Sequence, residues 1–167
     1  MYIKEVLWKA VAYVLSRKPV AWYLIKRARR TPYFHLDGYM NRWWLFNPYT
    51  PQDYERRASW LPSIRVHHIL RADTARHLHD HPWNARTIIL DGWYVERRLT
   101  ASGAVVESLR ERGDTAEINF GQYHSIDEVS DGGVYTLFFT WKYMGGWGFL
   151  VGGRKIPWRK YEQEYPT

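Results

Sequence analysis

The 167-residue chain has no cysteine. That excludes a disulfide framework, a thiolate metal site and a thiol nucleophile, and it leaves histidine and carboxylate as the side chains able to hold a metal ion. A cysteine-free chain is compatible with the reducing cytoplasm, where we place it. Uninterrupted apolar runs are missing too. Lys4, Lys9, Arg17 and Lys18 break the N-terminal segment and no small-residue cleavage site follows, so it reads as part of the mature protein, neither a signal peptide nor a spanning helix. Beyond residue 30 no stretch of ten residues keeps a helical period, which removes the crossover helices that a parallel sheet needs. There is no internal repeat, low-complexity segment or linker, and the length suits one domain over residues 1–167 with a core of its own.

The charge is uneven. Residues 1–60 hold 11 Lys/Arg against 4 Asp/Glu, residues 61–167 hold 13 of each, and the net +7 therefore belongs to the first third. Such a segment suits an anionic surface, nucleic acid or acidic lipid, but a solvated helix face is the plainer reading and the one we favour. Within it Ile3, Val6, Leu7, Ala10, Val11, Val14 and Leu15 recur at three- and four-residue steps, the signature of one helix face over residues 2–17. Pro19 suits the first turn of a second helix, which runs to about Arg30 with its cations in the last turn. Residues 1–30 thus read as a basic amphipathic helical extension whose apolar stripe packs on the domain that follows, although such a helix can also lie on a membrane. Next come short β-branched and aromatic runs: "MNRWWLFNPY", "SIRVHHILRA", "ARTIILDGWYVERRL", "AVVESLRER", "TAEINF", "GVYTLFFTWKY" and "WGFLVGG". Turn signals separate them at 101–103, 112–114 and 130–133. The body is mainly antiparallel β, a sandwich or barrel.

Three of the seven histidines fall within "ARHLHDHPWN", residues 75–84. In an extended strand His77, His79 and His81 would share one face, with Pro82 closing the strand. About forty residues on stands "GDTAEINFGQYHSIDE", residues 113–128. The two stretches resemble the paired motifs of the cupin superfamily. His79, His81 and Gly92 match the first motif, with Pro82 and Trp83 following as they often do in relatives; Gly113, Gly121 and His124 match the second. Asn119 replaces the second motif's proline and Glu128 its terminal asparagine. The first motif's glutamate falls on Ala85, and no carboxylate lies between His81 and Asp91.

The resemblance implies a cupin-type double-stranded β-helix, or jelly-roll, barrel over about residues 38–162, with one divalent metal ion held by His79, His81 and His124. Thiol dioxygenases, a cupin branch, likewise use three histidines and no glutamate, and "HDH" is similar to their first motif. "HDHPW", the strand over residues 136–138, "WGF" at 147–149 and Trp158 are also similar to a set of small bacterial and phage cupins. Three neutral imidazoles leave about three positions of a six-coordinate ion open and leave its charge intact for an anionic ligand. Fe(II) is the favoured metal, with Zn, Ni, Mn or Cu as alternatives. The expected function is a mononuclear metal-dependent enzyme, with an Fe(II) oxygenase or dioxygenase as its finer reading, acting on a small, anionic molecule; the alternatives are a metal-dependent isomerase or epimerase and a non-catalytic ligand-binding cupin. Further partners are a second copy in a homodimer and, less favoured, nucleic acid or an acidic membrane through residues 1–30.

His77 is the candidate acid, base or orienting residue, against the plainer reading of a partly exposed histidine at a strand edge. His67 and His68 must point to opposite faces of their strand, so one enters the barrel. Glu96 and Glu128 are candidates to replace the lost carboxylate, although each reads more simply as a solvated residue. Ten tryptophans and thirteen tyrosines, among them Trp83, Trp93, Tyr94, Tyr123 and Tyr135, either fill the core or form a stacking wall, and we take the first.

Overall fold

The computed structural model describes residues 2–49 and 58–166, the side chain of Tyr2 excepted. Two helices, α1 (Tyr2–Leu15) and α2 (Lys18–Ala28), precede the strands β1 (Met40–Phe46), β2 (Ser63–Ile69), β3 (Trp83–Asp91), β4 (Trp93–Leu99), β5 (Val105–Glu111), β6 (Thr115–Ile118), β7 (His124–Val129), β8 (Val134–Tyr143), β9 (Gly148–Val151) and β10 (Arg154–Pro157). A short α3 (Trp158–Glu164) follows. The strands form an antiparallel five-stranded sheet in the order β1-β2-β8-β3-β6, a three-stranded sheet β5-β4-β7 and a hairpin β10-β9. This is the mainly β, jelly-roll architecture expected, with the helices at the N-terminus.

The run "ARTIILDGWYVERRL" is two strands, because Gly92 turns it from the large sheet into the small one. Gly92 has φ +79°, and a Cβ there would lie 2.6 Å from Ser130 Oγ and 2.8 Å from the Gly133 carbonyl oxygen, so only glycine fits. β7, β10 and α3 have no counterpart among the runs quoted above. β7 reads "HSIDEV", whose His, Ser, Asp and Glu carry little strand propensity; its pairing with β4 makes it a strand.

Alternation along β2 divides the molecule into layers. Val66 joins the core between the large sheet and the helices, with Ala21, Ile25, Ile88, Leu137 and Phe139. Arg65, His67 and Ile69 point the other way, towards the barrel interior, where Ile69, Ile89, Tyr94, Ile126 and Val134 close one end. Because the helices cover the outer face of the sheet, both faces of β2 are buried.

Most of the α1 stripe expected to pack on the domain faces away from it, Leu15 excepted. Glu5, Trp8, Ala12 and Leu15 face inward, whereas Ile3, Val6, Leu7, Val11 and Val14 are exposed. The cause is Arg86, whose side chain is 1% exposed on the outer face of β3. Its Nη2 donates to Glu5 Oε1 at 2.5 Å and its Nη1 to Glu5 Oε2 at 3.2 Å, while the guanidinium lies 5.0 Å from the Trp8 ring. A buried cation without a partner costs several kcal/mol, roughly, so supplying Glu5 outweighs burying a more aliphatic stripe. No helix among the described residues is long and apolar enough to cross a membrane.

Candidate metal centre

Residues 77–81 do not form the regular strand that would align three histidines. His79 alone makes isolated bridges, to His124 on one side and Phe149 on the other, and its amide and carbonyl exchange 2.9 Å hydrogen bonds with those of His124. The chain here laces the small sheet to the β9–β10 hairpin. Asp80, fully buried between the two motif histidines, holds it there: Oδ1 accepts the Gly148 amide at 2.7 Å and Oδ2 accepts Lys155 Nζ at 2.5 Å. Without that regular alternation His77 diverges. Its Nδ1 lies 2.9 Å from the Tyr161 hydroxyl on α3, and it stands outside the histidine group.

His79, His81 and His124 do converge, and one ring nitrogen of each lies within 4.8 Å of the others. Three imidazole nitrogens suit a divalent ion by chemistry; two of them on one ion stand at most about 4.2 Å apart, twice a typical metal–nitrogen distance of about 2.1 Å, so the widest pair must draw in slightly to share it. His81 Nε2 and His124 Nε2 are 2.8 Å apart, facing each other. Burial pushes His79 down to about 4, and burial followed by the neighbouring His124 and His79 holds His81 well below the ordinary imidazole value. At neutral pH both therefore keep a lone pair for a metal.

Glu96 is neither a ligand nor a solvated strand residue. It is fully buried, and its Oε1 lies 2.7 Å from His124 Nδ1. Its Oε2 pairs with Arg98 Nε at 2.9 Å and Arg110 Nε at 3.4 Å. Burial alone would raise its pKa, but the His124 hydrogen bond and the Arg98 charge outweigh burial and hold it at about 2. An ionised carboxylate can only accept, so His124 donates from Nδ1, and Nε2 is left as the lone-pair nitrogen facing His81. Asp73 stands behind His79 without hydrogen-bonding it. Its Oδ2 lies 3.7 Å from His79 Nδ1 and accepts the Ile126 amide at 2.8 Å, and its Oδ1 accepts the Tyr39 hydroxyl. Glu128 is exposed.

His67 is the member of its pair that enters the barrel, with its ring 4.9 Å from Phe138. His68 stacks on Tyr135 at 4.0 Å outside. Phe138 also lies 5.9 Å from the His81 ring, and Trp83 stacks on His81 at 6.5 Å. Tyr94 and Tyr135 are buried in the core, as the plainer reading of the aromatics expected. The sequence reading missed Asp73, the burial of Glu96, and Arg65. The one signal for Arg65 was its place two residues before His67, on the same side of the strand.

No protein-family model matches this chain, and no curated protein matches it at the level of sequence. Solved structures do. An oxalate decarboxylase of Bacillus subtilis with Mn(II) centres is 13% identical with a TM-score of 0.52 over 76% of this chain. Hydroxypropylphosphonic acid epoxidase from S. wedmorenis is 12% identical with a TM-score of 0.51 over 68%. This chain spans only 31% of the decarboxylase and 56% of the epoxidase. At such identity the likeness concerns the fold, and with the antiparallel barrel it defines the architecture as cupin-type.

Proposed function

We propose that the protein is a metal-dependent enzyme acting on a small anionic molecule, with one divalent ion held by His79, His81 and His124. The observation that carries this reading is the convergence of three imidazole nitrogens within 4.8 Å, on two half-buried rings and the buried ring of His124, with a carboxylate behind two of them. An ion there, Fe(II) by preference with Zn, Ni, Mn or Cu as alternatives, would supply Lewis acidity and, as iron, electrons for an oxygenase reaction. The chain's own residues prepare for it. Glu96 fixes the proton of His124 on Nδ1, burial keeps His79 and His81 neutral, and Phe138 and Trp83 exclude water on one side.

The test is elemental analysis of protein purified without oxygen or added metal, beside His79→Ala and His124→Ala. Stoichiometric metal in the wild type that both variants lose supports the site; metal content unchanged in the variants removes it. Oxygen uptake on turnover then separates the oxygenase from a metal-dependent isomerase or epimerase.

A further inference from the structure

Arg65 is 2% exposed and sits among aromatic rings, with its guanidinium carbon 5.1 Å from the Trp83 ring centre, 5.4 Å from Phe138 and 5.5 Å from Tyr49. Nη1 donates to the Tyr49 hydroxyl at 3.1 Å. Nε and Nη2 are buried, and among the described residues they have no hydrogen-bond partner and Arg65 makes no ion pair. The other arginines with unmatched buried donors differ in this respect. Arg98 Nε lies 2.9 Å from Glu96, and Arg97 Nε pairs with Asp127. Nε and Nη2 form one edge of the guanidinium, the two parallel donors that match a carboxylate side-on. Leaving that edge buried without an acceptor costs stability, and more for a charged donor than for a neutral one. His67 Nε2, one step nearer the closed end on the same face of β2, is also buried and unpartnered.

Both groups share aromatic neighbours with the histidines. Phe138 is paired with Arg65 across β2 and β8, and its ring touches the surroundings of His67 and His81 alike. Trp83 likewise neighbours both Arg65, at 5.1 Å, and His81, at 6.5 Å.

We propose that Arg65 is the substrate-fixing residue of this site, its Nε–Nη2 edge taking one carboxylate of a small carboxylic acid whose other end lies towards His79, His81 and His124. This rests on the function proposed above and narrows its substrate to carboxylates. Two parallel donors on one edge match the paired oxygens of a carboxylate or a phosphate, and the surrounding rings, which leave little polar surface for a larger headgroup, favour the carboxylate.

The experiment titrates malonate and its neutral analogue malonamide into the wild type, Arg65→Met and Arg65→Lys, each metal-free and Zn(II)-loaded, by calorimetry, with zinc content measured in parallel. Malonate should bind the wild type and malonamide should not. Arg65→Met should weaken malonate about tenfold or more at unchanged zinc content, and Arg65→Lys, which keeps the charge and loses the fork, should fall between. Should Arg65→Met fail to fold, Arg65→Lys carries the comparison. Malonate binding by metal-free wild type that depends on Arg65 upholds this assignment even where the zinc site fails. Equal binding of malonate and malonamide, equal affinity in wild type and Arg65→Met, or no malonate binding at all overturns it.

A separate observation carries a second inference. The outward stripe of α1 leaves Ile3 75%, Leu7 61% and Val14 55% exposed, unusual for large aliphatic side chains recurring at helical spacing. Residues 1–30 carry eight Lys/Arg against one glutamate, and that glutamate is engaged by Arg86. A second copy docked here would oppose two strongly cationic segments, whereas an anionic lipid surface takes both the apolar stripe and the charge. We infer that α1 docks on anionic membrane. The whole protein should co-sediment with phosphatidylcholine vesicles containing phosphatidylglycerol, release with salt, and ignore pure phosphatidylcholine. The exposed pair Leu7→Asp with Val14→Asp should abolish binding while the thermal melt is retained. No binding to the anionic vesicles, a dimer by light scattering that the double variant dissolves, or duplex DNA binding in place of vesicle binding would each overturn the inference.

Discussion

Glu96→Gln tests the centre most directly, because glutamine has nearly the shape of a protonated glutamate. In the folded protein the Glu96 carboxyl is held at about 2 against an ordinary 4.5, and its side chain is fully buried. At about 1.36 kcal/mol for each factor of ten, the ionised form stabilises the fold by about 3 kcal/mol. The folded value is the depressed one, so this contribution is fully present above 4.5 and disappears as pH falls through about 2. Urea unfolding of metal-free wild type and Glu96→Gln should therefore differ by about 3 kcal/mol at neutral pH, and the gap should narrow steadily as pH falls from the ordinary carboxylate value to about 2. The carboxamide can also donate to His124 Nδ1 and move the proton to Nε2, so metal affinity should drop roughly 10- to 100-fold. A stability gap below about 1 kcal/mol, or one that does not change with pH, would refute the reasoning.

Asp80→Ala should cost about 2–4 kcal/mol in urea melts, because it strands the buried Gly148 amide and leaves Lys155 only the Gly146 carbonyl, and it should reduce bound metal by freeing the segment between His79 and His81. Asp80→Asn, able to keep the amide bond, should lose less. Gly92→Ala should cost at least about 2 kcal/mol from the left-handed backbone and the close Ser130 and Gly133 oxygens, read as a fall in melting temperature. Ser130 Oγ cannot swing aside without losing its bonds to the Trp93 amide and the Gly133 carbonyl. His77→Ala should leave metal content at the wild-type level and cost about 1 kcal/mol, as should Tyr161→Phe, because their 2.9 Å contact is with each other. Loss of metal from His77→Ala would place that histidine in the centre after all.

The residues themselves determined the helical hairpin and most of the strands, and the resemblance of two stretches to the cupin motifs singled out the three histidines. Periodicity and turn chemistry are local, and Gly92, Gly113 and Gly121 mark where the chain must turn. What the sequence could not express was the partner of each face. "SIRVHHI" reads as half-buried until two helices cover its outer side, and then Arg65 and Val66 are both interior. "YVERRL" reads as a solvated edge until β5 and β7 flank it and bring Arg110 and His124 onto Glu96. Likewise, the apolar stripe of α1 loses the inward face to Glu5 because Arg86, 81 residues away in sequence, needs a carboxylate. Which surface a side chain joins depends on charges brought together only by folding, and buried charges outrank apolar pattern because leaving one unpaired costs more than exposing a few methyl groups.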